Sequence, residues 1–208
     1  MGIINYIITQ CRGKIVLIYG EAGTGKTNLA LYILSEISLA NPKLKHFYIS
    51  TEGSTFKHLI SRYGLDRVRN AFFTEAVNSE HLLNILLGIF LKYGESIGAV
   101  IIDSINNFYR DEALYNKKAN IILNTSLSML AYTSLMSNSY VLLTAQVRRK
   151  PDGELDISGG QILMFWADVL IKLSKENNHR IAEVMLPKEL RGLKNSFMIS
   201  YEGVKFVE

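Results

Sequence analysis

Apolar residues follow two rhythms along this chain. Short unbroken runs alternate with stretches in which apolar positions recur every three or four residues. "KIVLIY" (14–19) is an unbroken run rich in Ile and Val, and it predicts a buried strand. In "TNLALYILSEISLA" (27–40), Leu29, Ile33 and Ile37 recur at four-residue spacing, as do Ala30 and Leu34, which predicts a helix. "HFYIS" (46–50) predicts a second strand, and "STFKHLISRYG" a short helix ending near Gly64. "AFFTE" (71–75) reads as a third strand. Asn78 or Ser79 then caps a helix over "EHLLNILLGIFLKYG". "GAVIIDS" (98–104) and "SYVLLTAQ" (139–146) are buried strands by composition. Between them a long helix covers Lys117 to Ser137, with Ile121, Leu123, Leu127, Leu130 and Leu135 among its apolar positions.

Strands alternating with helices argue for an α/β fold: a mostly parallel, twisted sheet with helices on both faces. The last third changes character. "WADVLIKLSK", "HRIAEVMLP" and "NSFMISYEG" are shorter and separated by polar turns. They predict neighbouring antiparallel strands that extend the sheet at its C-terminal end. No Ser/Gly-rich linker or internal repeat interrupts the chain, so one domain is expected over residues 1–208.

Composition narrows the setting. Hydrophobic residues make up 48% of the 208, enough for a large core and too many for a disordered chain. The single cysteine, Cys11, excludes an internal disulfide and suits a reducing, cytoplasmic interior. The opening "MGIINYIITQ" lacks the basic start and long apolar region of a signal peptide. No run reaches the length of a membrane span, so no membrane partner is expected. A net charge of +4 is compatible with a polyanion partner without demanding one.

The chemistry lies between the first strand and the first long helix. Gly20-Glu21-Ala22-Gly23-Thr24-Gly25-Lys26-Thr27 fits G-x-x-x-x-G-K-[ST] in its strand–loop–helix context, with Asn28 next. Glycines let successive N–H groups turn inward as an anion nest, and the helix start adds its positive dipole end. Lys26 is placed for the β- and γ-phosphates of ATP, and the Thr27 hydroxyl for Mg²⁺. Asp103 emerges at the end of "AVIIDS", where a carboxylate can hold Mg²⁺ directly or through water. Glu52 follows the second strand, where ligands bind in open α/β sheets, and could orient or deprotonate attacking water. Gln146 ends the strand "YVLLTAQ", a position from which an amide could sense the γ-phosphate.

Two segments could meet a nucleic-acid backbone. "VRRKPDGELDISGG" carries Arg148, Arg149 and Lys150 in a row, read as a basic, glycine-containing loop. "NFYRDEALYNKKAN" interleaves Tyr109, Arg110, Tyr115, Lys117 and Lys118, as single-strand platforms do, with Asp111 and Glu112 blunting the charge. Either could equally be a solvated charged surface.

The order of these pieces resembles the RecA/RadA recombinase family, and within it the short archaeal RadA paralogues of the RadB type. The matching motifs are "GEAGTGKT", "YISTEG", "VIIDSINNFYR", "LLTAQV" and "SGGQI", with a tail "SFMISYEGVKF" like the family's closing strand pair. They run from about Gly13 to Val204. The phosphate loop is generic to many NTPases, whereas the other motifs are more specific together. The resemblance implies a RecA-like P-loop core with ATP and Mg²⁺ as cofactors. Glu52 would take the catalytic glutamate position, Asp103 the Mg²⁺-linked aspartate, and Gln146 the sensor glutamine at the start of the second DNA-binding loop. Arg110 would start the first DNA-binding loop. The partners implied are single-stranded DNA, a main RadA-type recombinase or other recombination proteins, and further copies of the chain.

The chain departs from the full recombinases in several ways. Their amino-terminal DNA-binding domain and Phe-x-x-Ala polymerisation segment are expected to be absent, and the loop after Gln146 is short. "MLPKELRG" replaces an acidic, proline-containing segment that caps a neighbour's ATP, so Lys188 and Arg191 either reach a neighbour's phosphates or form a surface turn. The function expected is ATP binding with slow hydrolysis, DNA binding, and assistance to homologous recombination and repair. The alternatives are a nucleotide-switched regulator similar to KaiC-type or archaellum accessory ATPases, and a small-molecule phosphotransferase. No Arg-rich lid segment speaks for the last.

Overall fold

Strand β1 (Ile15–Gly20) is buried at every position because both of its faces are covered. In the computed structural model, which describes residues 2–60, 64–149 and 155–207, its side chains divide between two cores. Val16 and Ile18 face one core; Ile15, Leu17 and Tyr19 face the other. That is the period-two geometry of a strand inside a sheet. Helix α2 (Lys26–Ala40) covers the first face with Leu29, Ile33, Leu34 and Ile37. Helices α4 (Ser79–Tyr93) and α6 (Ala119–Ser137) cover the second, through Leu82, Leu86, Leu123, Leu127 and Leu130. Asn78 is the N-cap of α4, its side chain accepting from the His81 amide at 2.7 Å.

The remaining strands are β2 (Lys45–Ser50), β3 (Ala71–Glu75), β4 (Ile97–Asp103), β5 (Tyr140–Arg149), β6 (Leu155–Ile157), β7 (Val169–Glu176), β8 (His179–Leu186), β9 (Lys194–Ser200) and β10 (Gly203–Val207). They form one sheet in the order β10-β9-β8-β7-β1-β5-β4-β2-β3, with β6 attached to β5. The pairs from β7 through to β3 are all parallel; β7–β8, β8–β9, β9–β10 and β5–β6 are antiparallel. This is the RecA-like α/β sheet with a C-terminal antiparallel extension. β1 lies near its middle, so the loop leaving it opens between two sets of strand ends.

The structure amends the reading of the sequence at several places. "WADVLIKLSK" was expected to begin the antiparallel run, yet β7 is parallel to β1. Helix α7 (Gly160–Trp166) carries the chain back across the sheet, and Asp168 then fixes the start of β7 beside β1. Its amide donates to the Ile15 carbonyl at 3.0 Å and its carboxylate accepts from the Ile15 amide at 2.8 Å. β5 continues three residues past Gln146, so the basic segment begins as a strand paired with β6. Helix α1 (Ile3–Gln10) was not foreseen; its Ile and Tyr content suits a strand, but Ile3, Tyr6 and Ile7 fall at helical spacing and are buried. Helix α3 (Lys57–Ile60) is shorter than the helix expected to end near Gly64, part of which lies outside the described residues. Helix α5 (Asn107–Glu112) follows β4 after a turn over residues 104–106. No helix among the described residues is long and apolar enough to cross a membrane.

Candidate nucleotide site

The phosphate loop is shaped by close approaches that exclude side chains. A Cβ on Gly20 would stand 2.5 Å from the Leu173 carbonyl of β7 and 2.9 Å from Thr24 Oγ1. Gly25 adopts φ +92° as the residue before α2, and a Cβ there would meet Ile199 Cδ1 at 2.7 Å. Thr24 Oγ1 donates to the Glu21 carbonyl at 2.8 Å and closes the turn between them. Lys26 is buried, and its Nζ donates to the Gly20 and Glu21 carbonyls at 2.9 and 3.0 Å. Burial pushes this amine below the usual lysine value, while the negative charges of Asp103 and Glu52 pull it back up.

The loop opens into a cleft of about 430 Å³. Ala22, Gly23, Gly25, Lys26, Thr27 and Asn28 line one wall; Glu52, Asp103 and Gln146 line another. The ends of β1, β2, β4 and β5 thus bring together the groups expected at the site. Gly20, Glu21 and Thr24 shape the loop from behind that wall.

Asp103 is buried with both oxygens engaged. Oδ2 accepts from the Tyr48 hydroxyl at 2.6 Å, and Oδ1 accepts from Thr144 Oγ1. These bonds hold the carboxylate in one orientation and leave further lone pairs on each oxygen. With the Thr27 hydroxyl on the same cleft, the donor set is one hydroxyl and one carboxylate. That suits Mg²⁺, which takes few protein ligands and fills its octahedron with phosphate oxygens and water. No cluster of three or more His, Cys, Asp or Glu that could hold a metal occurs among the described residues.

Glu52 belongs to a chain of hydrogen bonds. Its Oε1 accepts from Ser104 Oγ and from Gln146 Nε2, each at 2.7 Å. Gln146 Oε1 in turn accepts from Arg110 Nη1 at 2.8 Å. The frame around this chain is stiff. Thr51 Oγ1 donates to the Ser104 carbonyl at 2.7 Å and accepts from the Ser104 amide at 3.0 Å. Asn106 bridges to the Gln146 backbone with bonds of 2.9 and 3.1 Å, and Asn107 donates to the Thr51 carbonyl at 2.7 Å. The turn after β4 is therefore tied to the exits of both β2 and β5.

Arg110 lies in α5 and faces Gln146. Arg148 lies in β5, where its Nε pairs with Asp156 Oδ2 of β6 at 3.1 Å. This corrects the view of Arg148 as part of a free basic loop. Only the backbone is described for Arg149, which pairs with Leu155, and Lys150 lies outside the described residues. Lys188 and Arg191 follow the far end of β8, where Leu186 pairs with Leu170 near the start of β7. Within one chain they sit at the end of the sheet opposite the cleft; the Lys188–Leu190 segment is a 3-10 turn. Sequence reasoning missed Tyr48, Thr144, Ser104 and Asn106, which position the site, and Arg180 and Ile199, which line it. Ser104 and Asn106 lie inside "VIIDSINNFYR", Tyr48 inside "YISTEG", Thr144 inside "LLTAQV" and Ile199 inside "SFMISYEGVKF", so motifs marked their places but not their roles; Arg180 lies in none of them.

The fold and the loop leaving β1 define a P-loop protein of the RecA-like class. The Rad51 family model matches residues 8–207, and the chain belongs to that family. It is similar to the DNA repair and recombination protein RadB of Methanococcus maripaludis strain C7, 34% identical over 174 residues, covering 80% of this chain and 79% of that one. RadB of Methanocaldococcus jannaschii is 28% identical over 207 residues, covering 95% of both. The crystal structure of the RadB recombinase shares the fold with a TM-score of 0.76 at 21% identity, covering 95% of this chain and 92% of that one. The resemblance drawn from the motifs is thus borne out, and the family membership favours it over the KaiC-type alternative.

Proposed function

We propose that the chain is a RadB-type recombination and repair protein that binds ATP with Mg²⁺, hydrolyses it slowly, and couples nucleotide state to DNA. The observation that carries this reading is the hydrogen-bond chain Ser104–Glu52–Gln146–Arg110. It runs from the hydrolytic end of the cleft to the two segments read as DNA-facing. The names of its RadB relatives support the setting in repair and recombination.

In this reading the loop amides and Lys26 hold the phosphates. Thr27 and Asp103 hold Mg²⁺, which neutralises charge on the phosphate oxygens when bound. Among the described residues both side-chain hydrogen bonds of Glu52 end on Oε1, which leaves Oε2 to orient water and take its proton. Gln146 holds Glu52 in place and is itself held by Arg110. A DNA phosphate that draws Arg110 away would free Gln146, and through it would shift Glu52. A main RadA-type recombinase and further copies of the chain are the protein partners proposed.

The test is ATP hydrolysis with and without single-stranded DNA, at two salt concentrations. Slow turnover that changes with DNA at low salt is expected. Lys26→Ala should remove tight ATP binding; a direct titration showing retained affinity would reject the phosphate-loop reading. Turnover indifferent to DNA, in protein with no DNA affinity at low salt, would reject the coupling.

A further inference from the structure

We propose that Arg180 binds the α-phosphate of the nucleotide within the same chain, at the opposite end of the cleft from Glu52. This rests on the ATP-binding reading above and extends it to a residue that no motif marks.

Arg180 is the second residue of β8 and lines the cleft. Its Cγ lies 3.8 Å from the point where a Cβ on Gly25 would stand, so its stem passes beside the first turn of α2. Nη1 donates to the Asn178 carbonyl at 3.0 Å, which steadies the side chain. Nε is buried and has no hydrogen-bond partner among the described residues. Among the described residues no carboxylate forms an ion pair with this guanidinium. A buried donor left unsatisfied is costly, and a charged donor more so. An anion would satisfy it, and the adjoining helix N-terminus and Lys26 suit a phosphate.

Strand order says which phosphate. β5, β4 and β2 lie on one side of β1 and carry Gln146, Asp103 and Glu52. β7, β8 and β9 lie on the other side, and the last two carry Arg180 and Ile199. A triphosphate whose γ end faces Glu52 therefore directs its α end and nucleoside toward β8 and β9. Ile199 adds an apolar wall beside the cation, a surface against which the face of a nucleobase can pack. Charge at the α-phosphate changes little when the γ-phosphoryl is cleaved. Arg180 thus contributes binding that is equal in the ground and transition states.

The test uses calorimetric titration of the full chain with Mg–ADP and with a Mg-bound non-hydrolysable ATP analogue. Arg180→Ala should weaken both by the same factor, roughly 10- to 100-fold, the range for removing a hydrogen bond to a charged group. Arg180→Lys should recover part of the loss, since it keeps the charge without the fork. KM for ATP should rise while kcat moves far less, and the unfolding midpoint without nucleotide should not fall. Wild-type protein that binds both nucleotides, with Arg180→Ala unchanged, would overturn this inference alone. So would intact ADP affinity with a collapsed kcat, which would place the guanidinium at the γ-phosphate. Wild-type protein that binds neither nucleotide would overturn the ATP-binding reading and this inference together.

Discussion

Among the described residues, Glu52 bonds the protein through only one of its two carboxylate oxygens. Glu52→Gln keeps the shape and the contacts of that oxygen but removes the base. ATP binding should survive, and hydrolysis should fall by about 10²–10⁴-fold, the range for a positioned general base. Phosphate release and nucleotide titration on the same preparation check this; an unchanged rate would remove Glu52 from the mechanism. A second residue ties stability to pH. His46 is fully buried, its Nε2 donating to the Asn41 carbonyl at 3.2 Å while Nδ1 has no hydrogen-bond partner among the described residues. Burial pushes its pKa down, against the smaller upward effect of the Asn41 bond, and Arg12 adds to the lowering. The sign follows directly. The unfolded chain takes up a proton near the ordinary histidine value that the folded chain does not, so stability falls as pH drops through that range. The loss is at most about 1.4 kcal/mol per pH unit for one proton. Urea midpoints at pH 7.5 and 5.5 should show this loss in wild type and a smaller one in His46→Gln.

At the scale of elements, the β5–β6 hairpin changes what the basic segment can do. Arg148 is held by Asp156 and must exchange that carboxylate for a DNA phosphate to contribute. Neutralising Arg148, Arg149 and Lys150 together should weaken binding to every sequence alike, since bonds to the sugar–phosphate backbone carry no base code. The log–log salt slope for single strands should flatten by about two units, at roughly 0.7 for each phosphate no longer neutralised. Asp156→Asn should do the opposite and tighten binding at low salt. A triple mutant with unchanged affinity and slope would make this hairpin a solvated surface instead. The hairpin also shows where reading a sequence stops. The phosphate loop, Glu52, Asp103 and Gln146 were legible because each adjoins an apolar run that announces a buried strand, and strand ends converge in such sheets. The end of β5 was not, because charged residues there carry no strand signal. The direction of β7 was hidden because composition is blind to direction; the crossover through α7 and the pairing with β1 carry it. The roles of Tyr48, Thr144 and Arg180 were invisible because they arise from neighbours far away in sequence.

For the molecule as a whole, the position of β1 predicts the order in which the sheet is built. Its neighbours are β5 and β7, paired as Ile15↔Val141 and Val16↔Val169, so the first strand of the chain closes against strands that come late. Helices α2, α4 and α6 are local and can form early, whereas the pairings of β1 require closure of very long loops. The phosphate loop gains its walls only then, because Leu173 of β7 and Ile199 of β9 complete it. Nucleotide binding should therefore be the last property recovered on refolding. Helical signal should return first, and capture of a fluorescent nucleotide should follow as a later phase; simultaneous recovery would contradict this sequence of events. A newly made chain would stay unable to hold ATP until β7, β8 and β9 had emerged. Occupancy of the site would then act as a check on completed synthesis, adding stability only to chains that have reached the end of their folding path.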